Sequence, residues 1–420
     1  MQKRFSVIIP TREGTYTLRS TLQTCLAQDF EDCEIVVSDN HSSPATKQVV
    51  DDLADHRIKY VRTPRPLAMT DSWEFAVAQA SGEYITLLGD NDGLLLHALP
   101  EIDRIIRMLN TKILRWESVC YNWPDLPVQE YASANELLIP LKQTNYYHPI
   151  HRRRSRPMIL AAANARISYA QLPMIYASAI HHSMIRRLRD QTGRVFRTRY
   201  PDVYSSFAFG HLAGTYHSVD APMNINALSG KSTGVACLYL KGRSPIAREF
   251  QTLNSQANHT HHPWVPDLPL MATASADAFQ HAKEALFPDE RAYSLDRKQM
   301  IISCIEELRV AGDEEWRNAR EVMRQTLVDD TRLLAWFDIE YGNRSFVSLN
   351  RTKQRSVLKR YGGTYLHLDA AEFGVSDVFG AAQLCEKLLG YKLDGVNAHL
   401  EPRSSDLWGK VRSLARVLVR

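Results

Sequence analysis

Two acidic residues separated by one other residue form the clearest candidate for chemistry in this sequence. Asp90 and Asp92 flank Asn91, with a glycine on either side, directly after the apolar run at 84–88. Carboxylates at this spacing can share one divalent cation, and hard oxygen ligands are what Mg²⁺ and Mn²⁺ prefer. An ordinary solvated turn explains the pair alone, but its position after a buried strand favours a cation site that also contacts a diphosphate.

Three more polar residues stand at the ends of predicted strands. Asp39 closes the run at 33–38, and its carboxylate is suited to a hydrogen bond with the base or ribose of a nucleotide. Thr11 and Glu13 follow the run at 5–10 and fall at the same edge of the sheet. A turn or helix cap is the competing interpretation, on equal terms for Thr11 and Glu13.

Three histidines, His259, His261 and His262, lie among the prolines of residues 254–270. Their side chains have metal-ligand chemistry, but their spacing matches no zinc motif. An irregular linker or lid is the favoured interpretation of the segment. His261 is kept as a further candidate ligand of the cation held by Asp90 and Asp92.

Alternating strand and helix patterns must position these residues. Short apolar runs at 5–10, 33–38, 58–61 and 84–88 are separated by helical patterns, which predicts a parallel sheet covered on both faces. Ligands bind at the carboxyl ends of the strands in such sheets. The predicted fold is therefore α/β, with its candidate site residues at one edge.

Beyond the first hundred residues the pattern is weaker. It predicts a helix over 175–192, a loop over 224–234 rich in Gly, Ser and Asn, and mostly helical structure after 271. The basic run at 151–154, with Arg156 close behind, is interpreted as a solvated loop, although it could also meet phosphates or anionic lipid.

Three regions follow from these patterns. Residues 1–235 form the main domain, residues 236–270 a linker or lid, and residues 271–420 a mostly helical region that binds an acceptor, a membrane or a partner. The stretch 406–420 sets Leu and Val against Lys and Arg, which suits a membrane surface or packing on its own domain.

The bulk composition excludes several classes. Of 420 residues, 44% are hydrophobic and 23% charged, which is typical of soluble globular proteins, and a net charge of +4 is too small to argue for nucleic acid. The six cysteines form no C-x-x-C pair, so neither zinc nor a disulfide framework is indicated. No apolar stretch is long enough to cross a bilayer. We expect a cytoplasmic protein that can rest on the cytoplasmic face of a membrane.

Over residues 4–109 the chain resembles the family 2 glycosyltransferases of the GT-A fold. The resemblance rests on Ser-Val-Ile-Ile-Pro-Thr at 6–11 and on Ser-Gly-Glu-Tyr-Ile-Thr-Leu-Leu-Gly-Asp-Asn-Asp at 81–92. It implies an inverting transferase that uses a nucleotide-diphosphate sugar with Mn²⁺ or Mg²⁺. It also implies that Asp39 contacts the base, that Asp90 is the first carboxylate of the D-x-D motif, and that Asp92 binds the metal.

Asp202 is the candidate catalytic base. Inverting transfer needs one carboxylate to take the proton of the acceptor hydroxyl, and Asp202 falls where the family's catalytic aspartate lies. Two departures from the family pattern weaken the resemblance: Pro201 replaces a glutamate, and Trp73-Glu74 stands where many members have Arg-Asn. A helix N-cap is the competing role for Asp202.

The resemblance implies a glycan or lipid-linked acceptor in cell-surface polysaccharide or lipopolysaccharide synthesis. UDP is the expected nucleotide, with dTDP and GDP as alternatives. A sugar-nucleotide pyrophosphorylase is disfavoured because Thr-Arg-Glu-Gly-Thr at 11–15 is not a glycine-rich phosphate loop, and the same observation disfavours a nicotinamide enzyme. A non-catalytic relative that keeps the fold as a binding or scaffold module is the remaining alternative.

Overall fold

The computed structural model describes residues 2–127, 132–140, 149–239, 244–308, 312–342 and 365–389. Its strands are β1 (Phe5–Thr11), β2 (Cys33–Asp39), β3 (Ile58–Arg62), β4 (Tyr84–Leu87), β5 (Gly93–Leu94), β6 (Ile113–Asn122), β7 (Glu136–Pro140), β8 (Ile150–Arg154), β9 (Ser178–His181), β10 (Thr215–Leu228) and β11 (Tyr365–Asp369).

The described helices are α1 (Leu18–Leu26), α2 (Pro44–Leu53), α3 (Met69–Val77), α4 (Ala98–Leu109), α5 (Ser155–Ala163), α6 (His182–Thr192), α7 (Pro201–Ala213), α8 (Pro245–Gln256), α9 (Met271–Leu286), α10 (Arg297–Leu308), α11 (Asp313–Thr326), α12 (Thr331–Tyr341) and α13 (Val378–Leu389). Short 3₁₀ turns at Tyr169–Gln171 and Ile175–Ala177 precede β9. None of the described helices is both long and apolar enough to span a membrane.

One mixed sheet organises the molecule, in the order β11-β7-β6-β9-β4-β1-β2-β3. Strands β3, β2, β1 and β4 run parallel, as predicted. Strand β9 lies antiparallel between β4 and β6, and β10 pairs with β5, β6 and β8. The predicted α/β class with flanking helices is confirmed, and the complete sheet is mixed rather than parallel.

Both faces of the parallel half are buried. On one face, Val7 and Ile9 of β1 pack in a cluster with α1 and α4. On the other face, Ile8 packs in a cluster with Trp73 of α3 and with α7. Burial on both sides explains the continuous apolar run of β1, since a strand exposed on one face would alternate with polar residues.

Two predictions along the chain were wrong, because in each case a short segment forms a strand of the sheet. Residues 175–192 are not one helix, because β9 occupies Ser178–His181 and pairs with both β4 and β6. Residues 224–228 belong to β10 rather than to a loop, because they pair with β5 and β6. Long-range pairing overrode the local signals in both cases.

The basic run at 151–154 is likewise a strand and not a solvated loop. It lies in β8, which pairs antiparallel with residues 215–219 of β10. His151 contacts Asp220 at 3.1 Å, and Arg153 Nε donates to Ser218 Oγ at 3.3 Å. These polar pairs hold the β8–β10 ladder together.

The region after residue 271 is mostly helical where it is described, and α9 packs on α7 of the main domain. Trp316, Met323 and Leu327, which the sequence places at helical spacing, are all buried in one cluster. Residues 365–389 return to the sheet, since β11 pairs with β7 and α13 packs on α1. The boundaries at 235 and 270 stay a prediction, and residues 406–420 lie outside the described residues.

Candidate functional site

The turn after β4 is held in place by both of its carboxylates. Asp90 Oδ2 accepts a hydrogen bond from the Thr11 hydroxyl at 2.6 Å, which ties the turn to the end of β1. Asp92 accepts from two backbone amides, Gly89 N–H at 2.9 Å and Ala227 N–H at 2.7 Å. The two aspartates therefore lie where β1, β4 and β10 meet.

Asn91 fixes the same turn from its other side. Its side-chain amide donates to Ala227 O at 2.7 Å and to Ser232 Oγ at 3.0 Å. Its own carbonyl accepts from Trp123 Nε1 at 3.0 Å. The asparagine in the middle of this D-x-D pattern thus has a structural role in holding the turn against β10.

Asp39 is fully buried at the end of β2, and both of its oxygens have partners. Oδ1 accepts from Ser42 N–H at 2.8 Å, which is the turn interaction anticipated from the sequence. Oδ2 accepts from Tyr60 Oη at 2.5 Å and lies 3.4 Å from Arg62 Nη1. Its contact with a nucleotide stays a prediction.

Thr11 and Glu13 separate into two environments. Thr11 joins the carboxylate turn through Asp90. Glu13, whose φ is +54°, turns away and accepts from the backbone N–H and the hydroxyl of Ser43 at 2.8 and 2.7 Å, just before α2. Its carboxylate therefore binds the N-cap residue of α2 in this structure, and a direct contact with the nucleotide stays a prediction.

Asp202 is the second residue of α7 and follows Pro201 at the first position. The N-cap is Tyr200, so the competing role of N-cap for Asp202 is not realised. Its backbone carbonyl accepts from Ser205 Oγ at 2.6 Å, and its carboxylate is half-buried. The carboxylate still interacts with the backbone N–H groups of Asp202 and Val203 in the first turn of α7, so a structural role at this helix end stays compatible with the predicted role as a base.

A tyrosine connects Asp202 to the β4 turn. Burial raises the pKa of the Tyr176 phenol, and three neighbouring carboxylates raise it further through their charges: Asp92, Asp202 and Asp90. Because charge effects of this kind fall off with distance, all three carboxylates must lie near this one phenol. The structure therefore brings the predicted base and the D-x-D pair into one group, which we call the carboxylate cluster.

Sequence reasoning missed Tyr176, since nothing in its local pattern distinguishes it from a core aromatic residue. Its ring packs edge-on against Trp73, with centroids 5.1 Å apart. Glu74 accepts from the backbone amides of Val195 and Phe196 at 2.8 and 3.1 Å. The Trp73-Glu74 pair, which departs from the family pattern, therefore supports the segments that carry Tyr176 and Asp202.

His261 lies in a different group. Its ring lies between Asp267 and Asp277, at 3.7 and 3.5 Å, and burial lowers its pKa. Among the described residues, no three His, Cys, Asp or Glu side chains are grouped so that they could hold a metal ion. The structure thus does not bring His261 to Asp90 and Asp92.

Burial disfavours the ionised form of the Asp90, Asp92 and Asp202 carboxyl groups. It raises the pKa of Asp90 to about 6, of Asp92 to about 7 and of Asp202 to about 6, and the charge of Asp90 adds to the effect on Asp92. Within the described residues, no Lys or Arg forms an ion pair with Asp90 or Asp92. Two hard oxygen donors without a cationic partner fit a divalent cation whose other ligands are phosphate oxygens and water.

The raised pKa values predict how stability depends on pH. The folded protein holds protons that the unfolded chain, with its ordinary carboxyl pKa near 3.8, has lost. Stability from these groups is therefore present at low pH and is lost as pH rises from about 4 through 7. In EDTA, we expect Tm to rise by a few degrees between pH 7.5 and 5.5, at about 2–4 °C per kcal/mol.

The variant Asp92→Asn isolates this effect from other titrating groups, such as His261. Differential scanning fluorimetry should give a flatter Tm profile for the variant than for the wild type. Addition of Mn²⁺ to the wild type should flatten the profile in the same way, because the cation stabilises the ionised carboxylates. Identical profiles for both proteins would contradict the assignment.

Gly14 provides a second test of the site. A Cβ at this position would lie 3.0 Å from Asp90 Cγ and closer still to Asp90 Oδ2 and Thr11 Oγ1. Gly14→Ala should therefore displace the Thr11–Asp90 hydrogen bond and weaken donor binding about tenfold, which corresponds to about 1.4 kcal/mol. Gly312→Ala is the matched control, because a Cβ there meets nothing within 4 Å. Equal donor affinity in both variants, measured by calorimetry, would exclude a role for this bond.

The N-terminal part of the chain is similar in sequence to known proteins. Residues 6–101 match the model of glycosyl transferase family 2. A stretch of 99 residues is 40% identical to the GalNAc(5)-diNAcBac-PP-undecaprenol beta-1,3-glucosyltransferase of Campylobacter jejuni. That alignment covers 23% of this chain and 32% of the relative, so the chain spans about a third of the length of the Campylobacter relative.

Solved structures of similar proteins include TarS 1–349 of S. aureus in complex with UDP, at 14% identity and a TM-score of 0.41, over 81% of this chain and 91% of that one. The mannosyltransferase PcManGT of Pyrobaculum calidifontis, in complex with GDP-Man and Mn²⁺, has 13% identity and a TM-score of 0.40, over 80% and 88% of the two chains. Over residues 6–101, this chain is therefore similar to glycosyl transferase family 2.

Proposed function

We propose that this protein is an inverting, metal-dependent glycosyltransferase that moves a sugar from a nucleotide-diphosphate sugar to a hydroxyl group of a glycan. The observation that carries the proposal is the carboxylate cluster, in which the charges of Asp90, Asp92 and Asp202 all act on the one buried phenol of Tyr176, with the D-x-D turn at the carboxyl end of β4. A D-x-D pair beside a separate base is the arrangement that such a reaction needs.

The nucleotide lies along the ends of β1 and β2. Asp39 and Thr11 are register partners there, and Asp90 is hydrogen-bonded to Thr11. Displacement of Tyr60 or Ser42 from Asp39 would free an acceptor for the base or ribose. Glu13 borders the same edge from the start of α2. UDP is the first nucleotide to test, followed by dTDP and GDP.

Asp202 takes the proton of the acceptor hydroxyl as that oxygen attacks the anomeric carbon, and the nucleoside diphosphate leaves from the opposite face. Its raised pKa of about 6 still leaves it ionised at neutral pH, as a base must be. Mn²⁺ or Mg²⁺ held by Asp92 and Asp90 supplies charge stabilisation to the departing diphosphate.

The acceptor is a lipid-linked glycan in a cell-surface polysaccharide or lipopolysaccharide pathway. The support for this part is the Campylobacter relative, whose name specifies a lipid-linked glycan as its substrate. Such an acceptor places the enzyme on the cytoplasmic face of a membrane as a peripheral protein, with no role for nucleic acid.

The test is a panel of UDP-, dTDP- and GDP-sugars, assayed for binding and slow hydrolysis with Mn²⁺, with Mg²⁺ and in EDTA. We expect one donor to bind and hydrolyse only with a divalent cation. Asp51→Ala, which removes an exposed carboxylate from α2, should behave as wild type. If no donor binds under any metal, the fold serves as a binding or scaffold module instead.

A further inference from the structure

A group of aromatic and acidic side chains lies beside the carboxylate cluster, at the end of β6. It is formed by Tyr16 before α1, Tyr121 in β6, Trp123 directly after β6, Asp125 in the following turn and Asp377 before α13. We call this group the aromatic–acidic cluster. Three segments distant in the chain supply it, and no role proposed above uses any of its members.

The cluster is directly bonded to the D-x-D turn. Trp123 Nε1 donates to the carbonyl of Asn91, the residue between the two site aspartates, at 3.0 Å. The Tyr16 ring packs on Trp123 with centroids 5.4 Å apart. Trp123 is 1% exposed, whereas Tyr16 is 52% exposed. Tyr16 therefore presents an uncovered aromatic surface only one side chain away from the turn.

Hydrogen-bonding groups in the cluster lack partners. The hydroxyl of Tyr121 is completely buried and has no partner among the described residues, although buried polar groups are nearly always bonded. Asp377 Oδ1 accepts from Gly380 N–H at 2.8 Å, and among the described residues no hydrogen bond to its Oδ2 is found. Asp125 follows Trp123 by two residues, and Asp377 directly precedes α13, which packs on α1 next to Tyr16. The charges of both add to burial in raising the pKa of Tyr16 and of Tyr121.

We propose that the aromatic–acidic cluster binds a pyranose ring of the acceptor glycan, an inference that rests on the proposed function. The C–H face of the sugar packs on the Tyr16 ring, because an aromatic side chain offers a large apolar surface with a polar tip. Hydroxyl groups of the sugar donate to Asp125 and Asp377, which are strong acceptors as anions.

Charge decides between the acceptor and the donor as the occupant. Asp125 and Asp377 repel the diphosphate of a nucleotide sugar, since like charges at short range cost free energy. A neutral sugar ring has no such cost. The hydrogen bond from Trp123 to Asn91 keeps the cluster beside the D-x-D turn. A sugar ring bound to the cluster would therefore lie next to the donor's diphosphate, which is where an acceptor must approach.

The experiment measures sugar binding without any donor present. Methyl glycosides of glucose, galactose, GlcNAc and GalNAc are tested by saturation-transfer NMR and by Trp fluorescence titration. We expect at least one glycoside to bind the wild type and to bind Tyr16→Ala at least fivefold more weakly. Tyr16→Phe, which keeps the ring, should stay within twofold of the wild type, and Asp377→Asn should be intermediate.

Trp264→Ala is the matched control. Trp264 is 47% exposed, close to the value for Tyr16, and it contacts His262 and Arg297 in another part of the molecule. This variant should bind the glycosides as the wild type does. Unchanged Tm of all variants shows that each one remains folded.

Kinetics separate the two substrates. Tyr16→Ala should raise KM for the acceptor and leave KM for the donor and donor hydrolysis within twofold of the wild type. Equal glycoside binding by Tyr16→Ala and wild type would overturn the proposal, and so would a raised donor KM, because the ring would then belong to the donor site. Tyr16-dependent glycoside binding in a protein that hydrolyses no donor would support the sugar site and overturn the proposed function.

Discussion

Replacement of Asp202 by Asn is expected to reduce sugar transfer by about 10²–10⁴-fold, the range in which a positioned general base contributes. The change removes the carboxylate of α7 whose charge acts on Tyr176, and it alters neither Pro201 nor the Tyr200 cap. Donor affinity with Mn²⁺ should stay within about threefold, since the nucleotide and the cation are held elsewhere.

The pH profile gives an independent readout of the same residue. Asp202 must be ionised to accept a proton, and burial raises its pKa to about 6. The value of kcat/KM should therefore fall below about pH 6 and reach a plateau above it. With Mn²⁺ at saturation, which keeps Asp90 and Asp92 ionised, the residual activity of Asp202→Asn should lack this acidic limb.

A matched variant tests whether position, rather than charge alone, matters for Asp202. Asp190→Asn removes an exposed carboxylate from α6, a short distance earlier in the chain, and should keep wild-type activity and the acidic limb. If Asp202→Asn retained more than about a tenth of the wild-type rate, Asp202 would not be the base, and the proton would have to leave through another group.

Replacement of Asp92 by Ala is expected to abolish metal-dependent donor binding. A cation that stabilises the diphosphate contributes several kcal/mol, so turnover should fall by about two to three orders of magnitude. The measurement is donor titration across a range of Mn²⁺ concentrations. The wild type should require the metal for tight binding, and the variant should bind weakly and equally with and without it.

The two hydrogen bonds to Asp92 make a control necessary. Ala at this position leaves the buried N–H groups of Gly89 and Ala227 without an acceptor, at about 1–3 kcal/mol each. Asp92→Asn keeps one carbonyl oxygen and no charge. A loss of metal dependence in both variants, with a larger fall in Tm for Ala than for Asn, would separate the cation from the structural role. Normal metal dependence in Asp92→Asn would mean that Asp92 only links the β4 turn to β10.

Much of the parallel half of the fold could be predicted from local sequence. The runs at 5–10 and 33–38 lie in β1 and β2, because strands buried on both faces are apolar throughout and therefore stand out. The run at 58–61 lies in β3, a partly exposed strand at the edge of the sheet. The polar residues that end these strands must then lie at one edge, since the strands are parallel.

Strands with weak local signals could not be recognised. Residues 178–181 form β9 because they fit between β4 and β6, and residues 224–228 extend β10 because Asn224 accepts from Trp116 Nε1 and Ser118 Oγ. Neither partner is near in sequence. A hydrophobic pattern over about ten residues contains no information about a contact between residues that lie about a hundred positions apart in the sequence.

The sequence by itself determined which residue types end the early strands, and so the presence of Asp39, Asp90 and Asp92 at the edge formed by the carboxyl ends of the parallel strands. Only the tertiary structure decided that Asp202 joins the pair around Tyr176 while His261 lies with Asp267 and Asp277. The physical reason is that a strand end is a local property of the chain. The meeting of a β4 turn with the start of α7 depends instead on how helices pack over the finished sheet, through contacts such as those of Trp73.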